Sequence, residues 1–355
     1  NINLLISLFC KTNILWIIYF MYHVMGIETS CDETSVSVMN SNSEVLSNST
    51  FSQIDIHKKY GGVVPEIASK NHLKKILPVI DSSLSEAKKN IEDIDYLCVT
   101  NGPGLINCLM IGVATSKSIG LLQNIPVLPI NHLEGHIASC FIENSISFPS
   151  ICLVASGGHT NLYLLENENN FNLISSTRDD AAGEAFDKGA KILQLGYPGG
   201  IEIDRLSKKG SNKFHSFPIP NLESDFDFSF SGLKTSLRYY VEKNKNWKDN
   251  INDISCCYQE AIVDSLLSKT VKAADKFKSK NILFAGGVAC NSRLRDRANE
   301  IFKNKAIFPS NQFCTDNGAM IAMRGLQKIK IEKTDYDNSF PVFSSTKITS
   351  NLNLD

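Results

Sequence analysis

The sequence has no pair of cysteines at the C-x-x-C spacing, although it contains ten cysteines; the only close pair is the adjacent Cys256-Cys257. That scatter excludes a zinc ribbon and a disulfide framework, and fits reduced, largely buried thiols in a cytoplasmic protein. Charge of one sign is lacking as well. Lys and Arg number 36 and Asp and Glu 37, a net charge of -1, so no global basic field advertises nucleic acid. Any contact with RNA must come from local clusters such as Lys58, Lys59, Lys70, Lys74 and Lys75, or Arg293, Arg295 and Arg297. Taken alone, clusters of this kind are usually solvated faces.

Long apolar runs are also missing. Asn1 to His23 holds two, Leu4 to Cys10 and Ile14 to Met21, split by Lys11-Thr12-Asn13. Neither reaches the roughly 20 residues that a membrane span needs. A signal anchor, an organellar presequence and translated sequence upstream of the true start are the three readings. Met25 stands directly before the first orderly strand, and the abundance of Asn, Lys and Ile fits an AT-rich genome in which apolar read-through is common. The third reading is therefore preferred, and residues 1–24 are expected to lie outside the fold.

What remains is rich enough for two domains. The chain has 355 residues, 43% of them hydrophobic and 21% charged, which is the composition of a globular protein able to bury two cores. From Met25 onward strands and helices alternate. Met25-Gly-Ile-Glu-Thr-Ser-Cys-Asp-Glu-Thr34 followed by Ser35-Val-Ser-Val-Met39 predicts a hairpin presenting Thr29, Ser30, Asp32 and Glu33. Ile151-Cys-Leu-Val-Ala155, Ser156-Gly-Gly-His-Thr160 and Asn161-Leu-Tyr-Leu-Leu165 predict a second hairpin with a Gly-Gly turn. Ile282-Leu-Phe-Ala-Gly-Gly-Val288 then runs into a helix carrying Arg293 and Arg297, with Asn291 or Ser292 as N-cap. Glycines at strand ends let backbone N–H groups approach an anion closely. One Gly-Gly turn is most often just a tight turn. Two hairpins and a strand–Gly-Gly–helix junction together describe a nucleotide cleft between two lobes.

Further elements are predicted as a helix from Pro78 to Lys89, a strand over Tyr96 to Thr100 and an apolar helix through Gly112 to Leu122. A strand over Val127 to Ile130 and a helix over Asp180 to Leu195 follow, then an irregular Asp225 to Thr235 and helices to Lys278. The division expected is lobe I over 25–130 and 309–330, lobe II over 131–308, and a polar tail over 331–355. The two hairpins hint at duplicated lobes.

His132 and His136 stand four apart and so share one helix face, where they can grip one metal ion. A lone pair at this spacing is more often structural than metal-binding. A third ligand has to come from elsewhere, and Asp316 in Phe313-Cys-Thr-Asp-Asn317 is the best candidate. Two histidines and one carboxylate suit iron, zinc or manganese and leave positions open for substrate oxygens. A metalloprotease would need its glutamate beside the first histidine. Glu134 is two residues on, about 200° around the helix, which disfavours that reading.

Many segments, in order, resemble the bacterial-type tRNA N(6)-adenosine threonylcarbamoyltransferase family, once taken for glycoproteases. They are Gly26 to Thr34, Tyr60-Gly-Gly-Val-Val-Pro-Glu66, Asn101-Gly-Pro-Gly104, His132 to His136, Ser156 to Thr160 and Gly183-Glu-Ala-Phe-Asp-Lys188. Tyr197-Pro-Gly-Gly200, Phe228-Ser-Phe-Ser-Gly-Leu-Lys-Thr235, Ala285-Gly-Gly-Val-Ala289 and Cys314-Thr-Asp-Asn-Gly-Ala319 continue the series. The resemblance runs from Met25 to about Arg324. It implies the α/β, two-lobed fold of actin, Hsp70 and sugar kinases, with a nucleotide and metal cleft between the lobes.

The resemblance also implies an acyltransferase acting on threonylcarbamoyl-AMP and tRNA, with metal ligands at His132, His136 and Asp316. Fe(2+) is the metal implied, and Zn(2+) is the second choice. Substrate contacts are implied at Val154, Ala155, Ser156, Gly157, Gly158, Asp187, Gly200, Asp204 and Asn291. Many members have His where this chain has Asn131, which is not one of the implied ligands, and some lack an acid at Asp204. In physical terms, Gly157 and Gly158 would cradle phosphate, Asp187 and Asp204 would accept hydrogen bonds from the donor, and Asn291 would sit near the nucleoside. Asp32 and Glu33 are candidates for the proton acceptor; the plain alternative is a turn in which Asp32 bonds its own backbone. Asp187 beside Lys188 also reads as a surface acid, Lys234 as a stem packed over aromatics, and His159 as a turn residue or a ligand. A non-catalytic paralogous lobe protein and a small ATPase are implied partners, without a membrane. A phosphotransferase of the same fold and a catalytically silent scaffold are the competing functions. The histidine pair argues against both, because kinases of this fold hold Mg²⁺ through carboxylates and a silent paralogue has no need of the pair.

Overall fold

A computed structural model describes residues 21–332 apart from residue 221. The expectations for residues 1–20 and for the tail beyond residue 332 lie outside the described residues. Two five-stranded sheets organise the chain. In the first, β1 (His23–Glu28), β2 (Glu33–Asn40) and β3 (Val45–Ser52) form an antiparallel meander, and β4 (Tyr96–Gly102) and β5 (Val127–Asn131) run parallel to β1, in the order β3-β2-β1-β4-β5. The second repeats this plan. β6 (Ser150–Ala155), β7 (Thr160–Leu165) and β8 (Phe171–Ser176) form the meander, and β9 (Asn281–Ala285) and β10 (Ala306–Ile307) continue in parallel, in the order β10-β9-β6-β7-β8. The duplication hinted at by the two hairpins is thus present strand for strand.

The helices are α1 (Ile54–Lys58), α2 (Pro65–Ala87), α3 (Ile106–Gln123), α4 (His132–Ser139), α5 (Ala182–Ile192) and α6 (Gly199–Ser207). They continue as α7 (Ser231–Lys243), α8 (Ile251–Lys276), α9 (Ser292–Phe302), α10 (Asn311–Cys314) and α11 (Gly318–Glu332). Two boundaries differ from the sequence reading. α2 begins at Pro65, where the ring's fixed φ and missing N–H suit a first helical turn, and it runs on through Pro78. β1 begins at His23, so the expected extension over 1–24 is too long. Val24 is fully buried and pairs with Met39 and Tyr96, and the His23 backbone N–H donates to Asp95 at 2.8 Å.

Apolar side chains cover both faces of each sheet. On the first sheet Ile27, Val36 and Val99 pack with Ile76, Val79 and Ile80 of α2 and Val113 of α3. On its other face Val24, Met39, Cys98 and Ile130 meet Met320, Ile321, Leu326 and Ile329 of α11. In the second sheet Ile151, Leu153 and Phe284 pack against Phe186 of α5, Leu233 of α7 and Tyr258 and Ile262 of α8. Each fully buried aliphatic or aromatic side chain is worth about 1.5–3 kcal/mol. The short helix α4 belongs to both halves. Its Ala138 lies in the core with α11, while Leu133 and Ile137 lie in the core with Cys152, Val154 and Tyr163. Among the described residues no helix is long and apolar enough to cross a membrane, and every described cysteine is a free thiol.

Candidate metal centre and substrate cleft

The site begins where β5 becomes α4. Asn131 caps the helix, its Oδ1 accepting from the backbone N–H groups of Leu133 at 2.8 Å and Glu134 at 3.3 Å. The cap fixes His132 in the first turn with His136 one turn on, and the two rings pack edge to face with centroids 4.6 Å apart. Asp316 arrives from the far end of the chain, in the turn between α10 and α11. Its neighbour Asn317 caps α11 by accepting from Met320 N–H at 3.0 Å. Two helix caps therefore aim the three side chains at one point.

Asp316 Oδ1 lies 3.6 Å from His132 Nε2 and 3.2 Å from His136 Nε2, and one potential ligand atom from each residue falls within 4.8 Å of the others. The 3.2 Å approach lacks the alignment of a hydrogen bond, and both ring nitrogens of the fully buried His136 are without a hydrogen-bond partner. A buried imidazole left so is costly. A divalent cation fits the vacant lone pairs and the donor set of two imidazoles and one carboxylate. The electrostatics agree. Burial alone would discharge His132, but Asp316 and then Glu28 carry it up to about 9. Burial also opposes ionisation of Asp316, yet His132 and His136 hold its carboxyl well below the usual range. His159, at the neighbouring β6–β7 turn, is pushed down to about 4, by burial first and then by the charges of His132 and His136.

Glu134 turns away from this point. Arg324 and Lys328 pair with it at 2.6 and 3.0 Å, which leaves no glutamate in the protease position. Glu28 was not singled out from the sequence, yet it lies directly behind His132. Its Oε2 is 3.3 Å from His132 Nδ1 and accepts from Thr100 Oγ1 at 2.5 Å, while Oε1 accepts from Ser30 N–H at 2.5 Å. The one signal in the sequence is an acidic residue directly after Val24-Met-Gly-Ile27 in a strand.

Near the three candidate ligands stands the β6–β7 turn, whose His159 feels the charges of His132 and His136. Ser156 N–H donates to the His159 carbonyl at 2.8 Å, and Ser156 Oγ accepts from His159 N–H at 3.2 Å. The backbone of His159 closes the turn, as one of its two readings held. The start of α5 presses against this turn: a Cβ on Gly183 would fall 2.5 Å from the Ser156 carbonyl oxygen, and Gly183 N–H donates to that oxygen at 3.1 Å. Gly157 and Gly158 differ in kind, since a Cβ on either meets nothing within 4 Å. They border open space. Gly286, with φ +86°, brings the end of β9 against the backbone of Ala155; a side chain would be strained there. Val154 and Ala155 are buried strand residues leading into the turn.

Asp187 is no surface acid. Its Oδ1 accepts from Gly199 N–H at 2.7 Å and so caps α6, and burial raises its carboxyl against that hydrogen bonding. Gly200 follows, with only Phe186 Cβ at 3.8 Å near its free side. Asp204 accepts from Ser292 Oγ at 2.8 Å and approaches Lys208 at 3.4 Å. Asn291 is the N-cap of α9, accepting from Leu294 N–H at 2.9 Å and donating to Gln259 at 2.7 Å. Both of its side-chain polar atoms are thus already engaged. Asp32 is buried next to Glu33 at the start of β2. Burial, then Asp32 and Asp316, hold the Glu33 carboxyl well above the usual range. Tyr197 enters the sequence reading only as the first residue of a motif, with no role of its own. Burial, then the fields of Asp32 and Asp187, push its hydroxyl well up.

The arginine cluster is spent on structure. Arg293 makes a two-pronged pair with Glu260 at 2.7 and 2.9 Å, Arg297 pairs with Glu260 and Asp264, and Arg295 donates to the carbonyls of Ala289 and Pro309. Lys58, Lys59, Lys70 and Lys74 remain exposed, while Lys75 covers the Phe51 ring. Lys234 pairs with Asp180 at 3.1 Å and is more than a packed stem.

Residues 44–323 match the family model described as tRNA N6-adenosine threonylcarbamoyltransferase. A protein of that name from Kosmotoga olearia is 48% identical over 312 residues, covering 86% of this chain and 93% of its own. Its counterpart from Persephonella marina is 46% identical over 324 residues, covering 89% and 93%. Among solved structures, full-length HypF superposes with a TM-score of 0.59 at 12% identity over 88% of this chain and 47% of its own. Component A of (R)-2-hydroxyglutaryl-CoA dehydratase from Acidaminococcus fermentans gives 0.54 at 15% over 87% and 99%. At such identities these two establish only the two-lobed fold of the actin and Hsp70 class.

Proposed function

This chain belongs to the tRNA N6-adenosine threonylcarbamoyltransferase family, and from that membership we propose that it transfers the threonylcarbamoyl group of threonylcarbamoyl-AMP to tRNA. The acceptor is the N(6) amine of the adenosine just 3′ of the anticodon (adenosine 37) in tRNAs reading codons that begin with adenine. A nitrogen–carbon bond forms at the carbamoyl carbonyl, the bond from that carbon to the phosphate oxygen breaks, and AMP leaves with the electron pair. The amine's surplus proton passes to a nearby base. The observation that carries this reading is the buried convergence of His132, His136 and Asp316 beside the open Gly157-Gly158 turn.

An adenine amine is a poor nucleophile because its lone pair is delocalised into the ring. Positioning and charge stabilisation have to supply the rate. Gly157 and Gly158 offer backbone N–H groups to the donor phosphate, free of any side chain. Asp187 and Asp204 accept hydrogen bonds from the donor through the lone pairs that Gly199 and Ser292 leave over. Asn291 borders the nucleoside, and Val154, Ala155, Ser156 and Gly200 shape the walls. Asp32 and Glu33 take up the amine's proton. His132, His136 and Asp316 would hold the divalent metal, Fe(2+) in preference to Zn(2+), and the chemistry supplied there is Lewis acidity toward carbonyl or phosphate oxygens.

The exposed lysines of α1 and α2 supply contacts to the tRNA backbone. Lobe I, expected over 25–130 and 309–330, takes in His23 and Val24 as well, and 131–308 form lobe II. The protein works in the cytoplasm with a non-catalytic paralogous lobe protein and a small ATPase. Purified protein incubated with threonylcarbamoyl-AMP and unmodified tRNA, with and without those partners, yields threonylcarbamoyladenosine detectable by mass spectrometry of the digested tRNA. Absence of the modified nucleoside under every combination overturns the reading.

A further inference from the structure

We propose that Glu28 is a positioning residue for the metal centre, its buried carboxylate holding His132 so that Nε2 faces the ion and Nδ1 keeps its proton. This rests on the reading of His132, His136 and Asp316 as ligands. Glu28 closes β1 and is fully buried. Three elements hold it in place. Ser30 N–H reaches Oε1 at 2.5 Å from the β1–β2 turn, Thr100 Oγ1 reaches Oε2 at 2.5 Å from β4, and His132 Nδ1 stands 3.3 Å from that same Oε2.

Ser30 Oγ also lies 3.3 Å from Nδ1, so the imidazole edge is bracketed by a carboxylate and a hydroxyl. The opposite edge points to Asp316. A carboxylate acceptor fixes the proton on the ring nitrogen it faces and frees the other nitrogen's lone pair, which is the usual way an outer carboxylate orients a metal-binding histidine. His136 has no such support, because its Nδ1 is without a partner. The two imidazoles are therefore held unequally: His136 by its place on α4, and His132 by the Glu28 carboxylate as well. A turn-capping role alone would account for the Ser30 contact, but not for Oε2 being aimed at Nδ1.

The full chain is titrated with Zn²⁺ in competition with a chromophoric chelator, comparing wild type, Glu28→Gln, Thr100→Val and His136→Ala. Gln keeps the length of Glu28 and removes its charge. Its affinity for Zn²⁺ is expected to fall about tenfold to a hundredfold, with a smaller loss for Thr100→Val, which leaves the carboxylate on His132. Failure of the wild type to bind Zn²⁺, or full binding by His136→Ala, overturns the ligand assignment and this inference with it. Tight binding by wild type and by Glu28→Gln alike overturns the inference alone. A measurement on the wild type covers the case in which Glu28→Gln does not fold. With ¹⁵N-labelled histidine and Zn²⁺ bound, His132 is expected to coordinate through Nε2 with a hydrogen-bonded proton on Nδ1, and coordination through Nδ1 refutes the proposal.

Discussion

Arg324 of α11 donates from Nε to Glu134 Oε2 of α4 at 2.6 Å, and so ties the helix that follows Asp316 to the helix that carries both histidines. The guanidinium is buried, lies 4.6 Å from the centroid of the Phe171 ring, and also donates to the Glu168 carbonyl and to Asn169. One side chain thereby joins α4, α11 and the β7–β8 turn.

Replacing Arg324 by Leu should leave Glu134 with Lys328 as its remaining partner and strand the carbonyl of Glu168. The expected loss is about 2–4 kcal/mol, near the range for removing one member of a buried pair. Urea unfolding checks it, as a lower midpoint at unchanged slope. A loss below about 0.5 kcal/mol would show that the pair is ornamental, as exposed ion pairs commonly are.

Metal uptake should depend on pH with a definite sign. His132 titrates near 9 in the folded, metal-free protein, against about 6.5 in an unfolded chain. Its pairing with Asp316 and Glu28 therefore stabilises the metal-free fold fully below about 6.5, and that contribution is lost as pH rises through 9. A metal ion must displace the same proton. Affinity should climb about tenfold per pH unit from neutrality and level off near 9. Calorimetry in buffers of different ionisation enthalpy should count about one proton released per ion at neutral pH, and a flat profile between pH 7 and 9 would contradict the assignment.

Gly158→Val tests the phosphate turn. A Cβ there meets no protein atom within 4 Å, so the fold should tolerate it while the added side chain fills the space left to the donor. Binding of the adenylate should weaken at least about tenfold by calorimetry, through blocked approach to the backbone N–H groups, with tRNA binding unchanged. Equal affinity for the adenylate would remove the turn from the donor site.

A chain begun at Met21 should match the full-length protein in stability and transfer, whereas one begun at Met25 should not. The shorter one lacks the fully buried Val24, the His23 contact to Asp95, and Tyr22, whose ring lies 5.6 Å from that of Tyr96. The expected deficit is about 2–3 kcal/mol, the scale of one buried aliphatic side chain and its strand pairing. Thermal melts of the two truncations settle it. Equal melting temperatures would return the start of the fold to Met25.

Much of this was legible beforehand, for local reasons. The hairpins at Met25 and Ile151 announced themselves by alternation and turn chemistry, and Asn291 by its place before a helix. The histidine spacing located one face of the metal centre. Other features depended on tertiary context. The sequence predicts a helix from Pro78, yet Pro65 takes the first turn and the helix runs on through Pro78. Arg293 and Arg297 read as a basic surface because Glu260, over 30 positions earlier, is invisible as a partner until α8 and α9 pack. Glu28 acquires meaning only from the His132 ring that lies opposite it. No periodicity reports that.

The core shared by β1 and α11 has a consequence for synthesis. Val24 stands almost at the start of the described chain, and its partners Met320, Ile321 and Leu326 almost at the end. A ribosome making this protein must release the first strand long before the helix that shelters it exists. One side of the early sheet waits, bare and apolar, until α11 is made, in the manner of intermediates that invite aggregation or chaperones. Asp316 emerges in the same late stretch. Both histidines are thus out of the tunnel well before their third companion, and neither the nascent sheet nor the candidate metal pocket is complete until Asp316 and α11 have been made.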